Sequence, residues 1–489
     1  MHFSSPCAAG KTIMPDMLAF FDSVGCAVVG ASSNPSKAGC QILVNMQTAG
    51  YDRGLYPVNA SSDEILGLKA YPSIDGIDGR VELVILATPA AATAEIVGQM
   101  RSRIDGQGDI RAIVCAAAGF AELQTADGIR YQKVLLDFCR EKNIRLLGPN
   151  CVGVIDVKHK VDTTFIAGIA HVPGGISFVS QSGAVGAWLL MTWAASPAGG
   201  VGFNKFITVG NMADVDIIES ISYAGSDPAT RALGVYVEGS PESRRLVEAA
   251  AAVAKRKPVV ILKVGRTEEG AKAASSHTGS LAGSDSLYDG AFRQNGILRA
   301  HTVDELSDAL RAFDLLPLPA GDGIFILTQA GGPGIICVDE LASTGLFKPS
   351  LVSMETKAAL KSCLPAIASI CHPEGHADIT AAAGAEHHVE ALEVVLRDRS
   401  VDAVIFITVA TLFLDLAGMA RGMVKLLARL KKEGIEKPVF PVILSGNWTR
   451  ESRAILENAH QPTFESPERA VKALAAMRSY GLFRERSES

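Results

Sequence analysis

Three times along this chain a short run of β-branched and apolar residues breaks into a turn of small residues and then into a helical pattern. Cys26-Ala27-Val28-Val29-Gly30 reads as a buried strand. It enters the turn Ala31-Ser32-Ser33-Asn34-Pro35-Ser36-Lys37-Ala38-Gly39, and a helix is expected from about Cys40. The second block repeats this near Pro173, with a strand over 175–179, the turn Ser180-Gln181-Ser182-Gly183-Ala184-Val185-Gly186, and a helix. The third has a strand over 324–328, a loop Gly331-Gly332-Pro333-Gly334, and a helix to about Thr344. Further strands are predicted at 54–58, 81–87, 112–115 and 145–147, then at 206–209, 234–237 and 258–264, and finally at 403–407 and 438–444. Strands that alternate with helices in this way build parallel α/β sheets. Leu315-Leu316-Pro317-Leu318-Pro319-Ala320-Gly321-Asp322-Gly323 separates the second and third blocks as a linker.

At 489 residues the chain exceeds what one core supports, about 250–300 residues, so several domains are expected. Hydrophobic residues at 48% and charged residues at 20% describe a soluble protein with substantial cores. The net charge of −6 argues against a nucleic-acid surface, which needs a basic excess. Nine cysteines are scattered without a CxxC pair, the pattern of free thiols in a reducing compartment. The N-terminus lacks the basic flank and apolar core of a signal peptide. The most apolar later stretch, 404–416, contains Thr408, Thr411 and Asp415 and is too short to span a bilayer. A cytoplasmic protein is expected, with neither nucleic acid nor membrane as partner.

The first turn has the strand–glycine–helix layout of a Rossmann-type phosphate site but no G-x-G-x-x-G. Pro57-Val58-Asn59 puts an amide where a nicotinamide enzyme carries an acid for the ribose. A phosphorylated nucleotide other than NAD fits better, with Ser32, Ser33 and Lys37 available for phosphates; a turn serving only packing is the alternative. Ser180-Gln181-Ser182-Gly183 sets two hydroxyls and a glycine at a helix start, which suits phosphate and equally suits an ordinary serine cap. Glu238 follows the strand Val235-Tyr236-Val237, at the sheet edge where α/β proteins bind ligands. It can hold one nitrogen of a histidine and sharpen the other as a nucleophile, or be a solvated loop glutamate.

His277 stands in Ser275-Ser276-His277-Thr278-Gly279-Ser280-Leu281-Ala282-Gly283, a setting that suits a mobile loop around an anion. A neutral imidazole there can take up and pass on a phosphoryl group; a solvated loop histidine is the bland reading. Two other patterns are set aside. Gly10-Lys11-Thr12 lacks the first P-loop glycine, having Ser5 there, and no strand precedes it. His372, His376, His387 and His388 lack H-E-x-x-H spacing, and Pro373 and Gly375 mark a loop, so no metal site is assigned.

In order along the chain, Val29-Gly30-Ala31-Ser32 with Lys37 and Gly39, Tyr56-Pro57-Val58-Asn59, Glu64-Ile65-Leu66-Gly67 and Tyr71-Pro72-Ser73 are followed by Ala118-Gly119-Phe120 and Gly148-Pro149-Asn150-Cys151-Val152-Gly153. Then come Ser180-Gln181-Ser182-Gly183, Gly210-Asn211 with Asp214 and Asp216, Glu238-Gly239, Lys263 with Gly265-Arg266, and the His277 segment. This series resembles the NDP-forming acyl-CoA synthetase superfamily, in particular the α-type subunit of ADP-forming acetate–CoA ligases, and more distantly the α subunit of succinyl-CoA synthetase. The resemblance implies an α/β protein: a Rossmann-like CoA-binding domain over 15–152, followed by two flavodoxin-like parallel α/β domains over 153–316 and 323–485. It makes His277 the phosphorylated histidine and Glu238 the carboxylate that orients it. Phosphate falls to Ser180, Gln181, Ser182 and Gly183. CoA falls to Gly30, Ala31, Ser32, Ser33, Lys37, Val58, Asn59, Thr88, Pro89 and Asn150.

The implied reaction interconverts acyl-CoA, ADP and phosphate with carboxylate, CoA and ATP. Too few residues follow the third block for an ATP-grasp domain, so ADP or ATP with Mg2+ is expected on a β-type partner subunit, in a hetero-oligomer. Relatives carry Asn-Pro-x-Asp after an Ala-Ser pair; here Ala368-Ser369 leads into a longer, histidine-rich segment, which leaves the carboxylic acid open. A CoA-binding regulatory paralogue and a nicotinamide-dependent dehydrogenase are the alternatives from other classes. The intact Glu238 and His277 motifs oppose the first, and Asn59 opposes the second.

Overall fold

The computed structural model describes residues 17–278 and 285–488, with the backbone alone at 274–278 and 488. The chain divides into two compact units, Met1–Ala167 with Ile207–Tyr223, and Gly168–Phe206 with Ala224–Ser489.

In the first unit a parallel sheet sets Leu55–Val58, Cys26–Val29, Leu83–Leu86, Ala112–Cys115 and Arg145–Leu147 side by side. Cys26–Val29, Leu83–Leu86 and Ala112–Cys115 are buried at every position, because helices cover both faces of a parallel sheet and leave no polar side. Strand order reverses between Cys26–Val29 and Leu83–Leu86, so the loops leaving those two strands diverge and open a crevice. The helix Ala38–Ala49 follows the first strand. A Cβ on Gly39 would stand 2.1 Å from the Gly30 carbonyl oxygen, so the helix approaches the strand end as closely as only glycine permits.

The segment Ile207–Tyr223 belongs to this unit although it lies far along the chain. Val215 N–H donates to the Leu146 carbonyl at 3.1 Å and Ala213 N–H to that of Gly148 at 3.2 Å. Arg145 then grips the segment through Asp214 (2.9 Å) and, with both terminal nitrogens, through Glu219 (2.8 and 2.7 Å).

In the second unit the strands Leu298–Ala300, Val259–Lys263, Ala232–Val237 and Pro173–Ser180 are neighbours in that order. A further sheet orders His376–Asp378, Gly323–Thr328, Ala403–Val409 and Val439–Leu444 in parallel, with Ser369–Ile370 antiparallel at its edge. The C-terminal helix Pro467–Glu488 binds the two blocks together by packing on Val303–Leu315. Arg469 pairs with buried Asp308 at 2.6 and 2.9 Å, and Phe313 meets Tyr480 edge-on at 5.7 Å.

Two expectations change. Gly331-Gly332-Pro333-Gly334 is not a loop but the first turn of the helix Gly331–Thr344; a proline there lacks only an N–H that the first turn leaves unpaired anyway. His277 is also helical in its backbone, in the last turn of Glu268–Thr278. Glu268 and Glu269 favour the start of that helix, and Ala271, Ala273 and Ala274 carry it further than the following serines suggest. No helix among the described residues is long and apolar enough to cross a membrane. The eight described cysteines are free, and all but Cys363 are buried.

Candidate active site

The crevice of the first unit gathers the residues expected to hold CoA. Gly30 leaves its strand at φ +88°, and a Cβ on it would meet the methyl of Thr88 at 2.9 Å, so the turns after the first and third strands of the sheet touch there. Asn59, after the neighbouring strand, donates its side-chain amide to the Ala31 carbonyl at 2.8 Å. Ser32 Oγ accepts from Asn34 N–H at 3.1 Å and shapes the turn, while Ser33, Lys37 and Pro89 are exposed along the crevice. Ala31 and Val58 are buried beneath it. The helix that starts at Ala38 receives no side-chain cap from Lys37; the Cys40 N–H turns to the Lys37 carbonyl at 3.0 Å, which leaves those of Ala38 and Gly39 to an anion.

Asn150 sits at φ +55°, its N–H donating to the Ala117 carbonyl at 2.9 Å. Its neighbour Asn211 donates to Glu122 at 2.6 Å and to Gln132 at 3.1 Å. Glu122 in turn accepts from Gly119 N–H at 2.5 Å and from Phe120 N–H at 3.0 Å. Burial alone would raise its carboxyl, but the bonds from Asn211 and these backbone groups outweigh that and hold it below the usual range. Neither Glu122 nor Asn211 was assigned a role from sequence. The matching text around both was visible, but their meeting requires Ile207–Tyr223 to fold back onto the first unit.

The second unit brings the other set together. Pro173–Ser180 ends at the start of the helix Gly183–Ala194, which Ser182 caps by accepting from Val185 N–H at 3.3 Å. Ser180, fully buried, donates to the Ser182 carbonyl at 2.7 Å and sets the turn. Glu238 emerges from the adjacent strand Ala232–Val237 and is buried, 6% exposed, so the reading of a solvated glutamate does not hold. Gln181 joins the two: its Oε1 accepts from the N–H groups of Glu238 (2.5 Å) and Gly239 (3.2 Å), and its Nε2 donates to the Gly239 carbonyl at 2.7 Å.

Two residues without an assigned role stand beside Glu238. Burial, then the charge of Glu238 and a hydrogen bond to it, push the Tyr236 phenol up. Lys263 ends the next strand, registered against Val237, and is 1% exposed. Burial pulls its ammonium down, with Asp285 opposing, and it lies 5.1 Å above the Tyr288 ring. The side chain of His277 and residues 279–284 lie outside the described residues.

The histidine-rich segment is distributed rather than clustered. His376 lies within the strand His376–Asp378, under the start of the helix Gly331–Thr344. His387 accepts from Gly384 N–H at 2.9 Å at the start of the helix Ala385–Arg397, and His388 Nδ1 donates to the Gly384 carbonyl at 2.8 Å beside Phe406. Among the described residues, no group of three His, Cys, Asp or Glu side chains is arranged to hold a metal ion.

Comparison with known proteins finds two families along the chain. Residues 25–156 match the CoA binding domain family, and residues 173–313 match the succinyl-CoA ligase like flavodoxin domain family. The α subunit of ADP-forming acetate–CoA ligase II from Pyrococcus furiosus is 36% identical over 94% of this chain and 96% of its own length. ADP-forming acetate–CoA ligase I from Archaeoglobus fulgidus is 34% identical over 93% of this chain but only 62% of its own, longer one. Among solved structures, the dinucleotide-forming acetyl-coenzyme A synthetase 1 of Ca. Korarchaeum cryptofilum, in complex with phosphate and ADP, superposes with a TM-score of 0.84 at 30% identity. That match covers 97% of this chain and 99% of the other.

Proposed function

The chain belongs to the family of α subunits of ADP-forming acetyl-CoA synthetases, and from that premise we propose that it converts a small acyl-CoA, phosphate and ADP to carboxylate, CoA and ATP through His277. Phosphate held at the helix start after Ser182 attacks the thioester carbonyl. The CoA sulfur leaves, and an acyl phosphate forms. His277 then attacks phosphorus, the carboxylate leaves, and the phosphohistidine hands its phosphoryl group to ADP. Such transfers depend on positioning and on stabilising charge more than on covalent chemistry by the protein.

The observation that carries this reading is the junction of the Ser182-capped helix start with buried Glu238 at the carboxyl edge of one sheet. The helix N-terminus favours the phosphate charge. Glu238 supplies the fixed acceptor that a histidine nucleophile needs on its second nitrogen. CoA enters at the crevice bordered by the Gly30 and Thr88 turns, with Lys37 and the uncapped helix start after it facing the CoA phosphates.

The nucleotide, with its Mg2+, is assigned to a β-type ATP-grasp subunit. The longer Archaeoglobus relative supports this division, since it extends well beyond the region this chain matches. The complex is read as a cytoplasmic hetero-oligomer.

The test is phosphoryl labelling. Wild-type chain with its partner, given acetyl-CoA and labelled phosphate, is expected to acquire an acid-labile label that His277→Ala abolishes. CoA binding without any label would instead identify a regulatory CoA-binding protein, and NADH binding without CoA binding would overturn the reading altogether.

A further inference from the structure

The resemblance places Gln181 among the phosphate-binding residues. In the fold it faces the neighbouring strand end, and the same arrangement recurs in the third block. There Gln329 N–H donates to the Ile407 carbonyl at 3.0 Å, and its Oε1 accepts from Thr408 Oγ1 at 2.7 Å and Val409 N–H at 3.1 Å. In the second block Gln181 N–H donates to the Tyr236 carbonyl at 3.2 Å, and its side chain takes Glu238 and Gly239. Ser180 and Thr328 occupy matching places, each donating its hydroxyl across the turn at 2.7 Å to the carbonyl of the second residue on.

The two flavodoxin-like blocks therefore share one joint between the central strand, its helix and the adjacent strand. They differ in what the glutamine grips. In the third block the residue whose N–H it holds is Val409, which has no chemistry; in the second it is Glu238. A backbone held by three hydrogen bonds in the interior has little freedom to rotate, which fixes the point and direction from which the Glu238 side chain departs. The phosphate helix begins two residues after Gln181, so the same clasp ties Glu238 to the anion site.

We propose that Gln181 is a positioning residue that acts through Glu238, fixing its carboxylate against the phosphate helix. This rests on the reading of Glu238 as the group that orients His277. Gln181 does not serve as a ligand of phosphate.

The experiment uses the chain with its partner subunit and follows labelling of His277 from acetyl-CoA and labelled phosphate over a range of phosphate concentrations. The variants are Gln181→Met, Glu238→Gln and the double variant. Gln181→Met is expected to lower the saturating rate about tenfold or more, with the phosphate KM within about twofold of wild type. In the Glu238→Gln background the same change is expected to alter the rate by less than about twofold, the signature of two residues acting as one unit.

Gln181→Glu keeps both acceptor contacts but sets a carboxylate oxygen against the Gly239 carbonyl and a second charge beside buried Glu238. It too is expected to lower the saturating rate with the phosphate KM within about twofold of wild type, and it carries the comparison if Gln181→Met does not fold, as judged by circular dichroism. Equal losses in both backgrounds, or a raised phosphate KM at an unchanged saturating rate, would overturn the proposal. A Glu238→Gln variant that labels at the wild-type rate would overturn the role of Glu238 itself, and that outcome is read from the single variant alone.

Discussion

Asn59 donates its side-chain amide to the carbonyl of Ala31 at 2.8 Å, and its own oxygen accepts from Ser61 N–H at 2.8 Å. The position after the second strand, where a nicotinamide enzyme keeps an acid for the ribose, here braces the glycine turn. Asn59→Asp would set a carboxylate against that carbonyl. We expect CoA affinity to fall about tenfold, the scale of a hydrogen bond lost where its partner is held in place, with no gain in NADH binding. Calorimetric titration measures both, and an unchanged CoA affinity would remove Asn59 from the site.

Two glycine-to-alanine changes should have opposite signs. At Gly39 the new methyl would lie 2.1 Å from the Gly30 carbonyl oxygen, and backbone yields only by moving the helix away from the turn. Overpacking of this kind destabilises by about 1–3 kcal/mol, and CoA binding should be lost with it. At Gly98, inside the helix Thr93–Gln107, the methyl meets nothing within 4 Å. Gly98→Ala should stabilise by about 0.5–1 kcal/mol through helix propensity. Denaturant titration of the two variants side by side decides the matter; a stable Gly39→Ala variant that binds CoA normally would contradict the close approach.

Ser182 caps the helix that faces the proposed phosphate site. Ser182→Ala removes the acceptor for Val185 N–H and should cost about 1 kcal/mol of stability. It should also raise the phosphate KM several-fold, because the hydroxyl lost from the anion end of the helix and the fraying of its uncapped first turn outweigh the one N–H set free. Steady-state kinetics in phosphate tests this, and a KM equal to wild type would leave Ser182 as a cap alone.

Acid stability should depend on the pairing of a buried lysine with a half-buried aspartate. Lys205 Nζ lies 2.5 Å from Asp227, and the lysine side chain is 2% exposed. Burial by itself would raise the Asp227 carboxyl, but the hydrogen bonds from Lys205, Ala229 N–H and Asn204 outweigh it and bring it down to about 2, from an ordinary 3.8. The folded value lies below the unfolded one, so on acidification the unfolded chain binds the proton first. The contribution is then complete above about pH 4 and is lost as pH falls toward about 2; a shift of this size corresponds to ~2 kcal/mol. Asp227→Asn should lower stability at pH 7 by at least that much, and its deficit should shrink below about pH 3. A deficit that stays constant across the range would exclude the pair as its source.

Much of this molecule is legible along the chain because its signals are short-range. The run Ala112–Cys115 and the segment Arg145–Leu147 form strands at the predicted residues, since apolar runs this short between turn signals are too brief for a helix and are buried as strands of a parallel sheet. Helix ends were harder. Gly331 to Gly334 and the residues up to Thr278 are rich in glycine or serine, yet both are helical, because alanines, acidic first-turn residues and a tolerated early proline outweigh local flexibility.

The sequence by itself determined the α/β class, the Gly30 turn, the helix start after Ser180 and the acid after Val237, each from a window of a few residues. It left open whether Glu238 was solvated and what Gln181 touched. Only the tertiary structure decided those points. Parallel register sets Ser180 opposite Tyr236, which brings the next residue, Gln181, to the Glu238 backbone across a long stretch of chain. The return of Ile207–Tyr223 to the first unit, through Arg145 with Asp214 and Glu219, was likewise invisible along the chain. The physical reason is the same in both cases. A hydrogen bond or ion pair between distant residues depends on which strands become neighbours, and burial of whole faces settles that, not any local pattern.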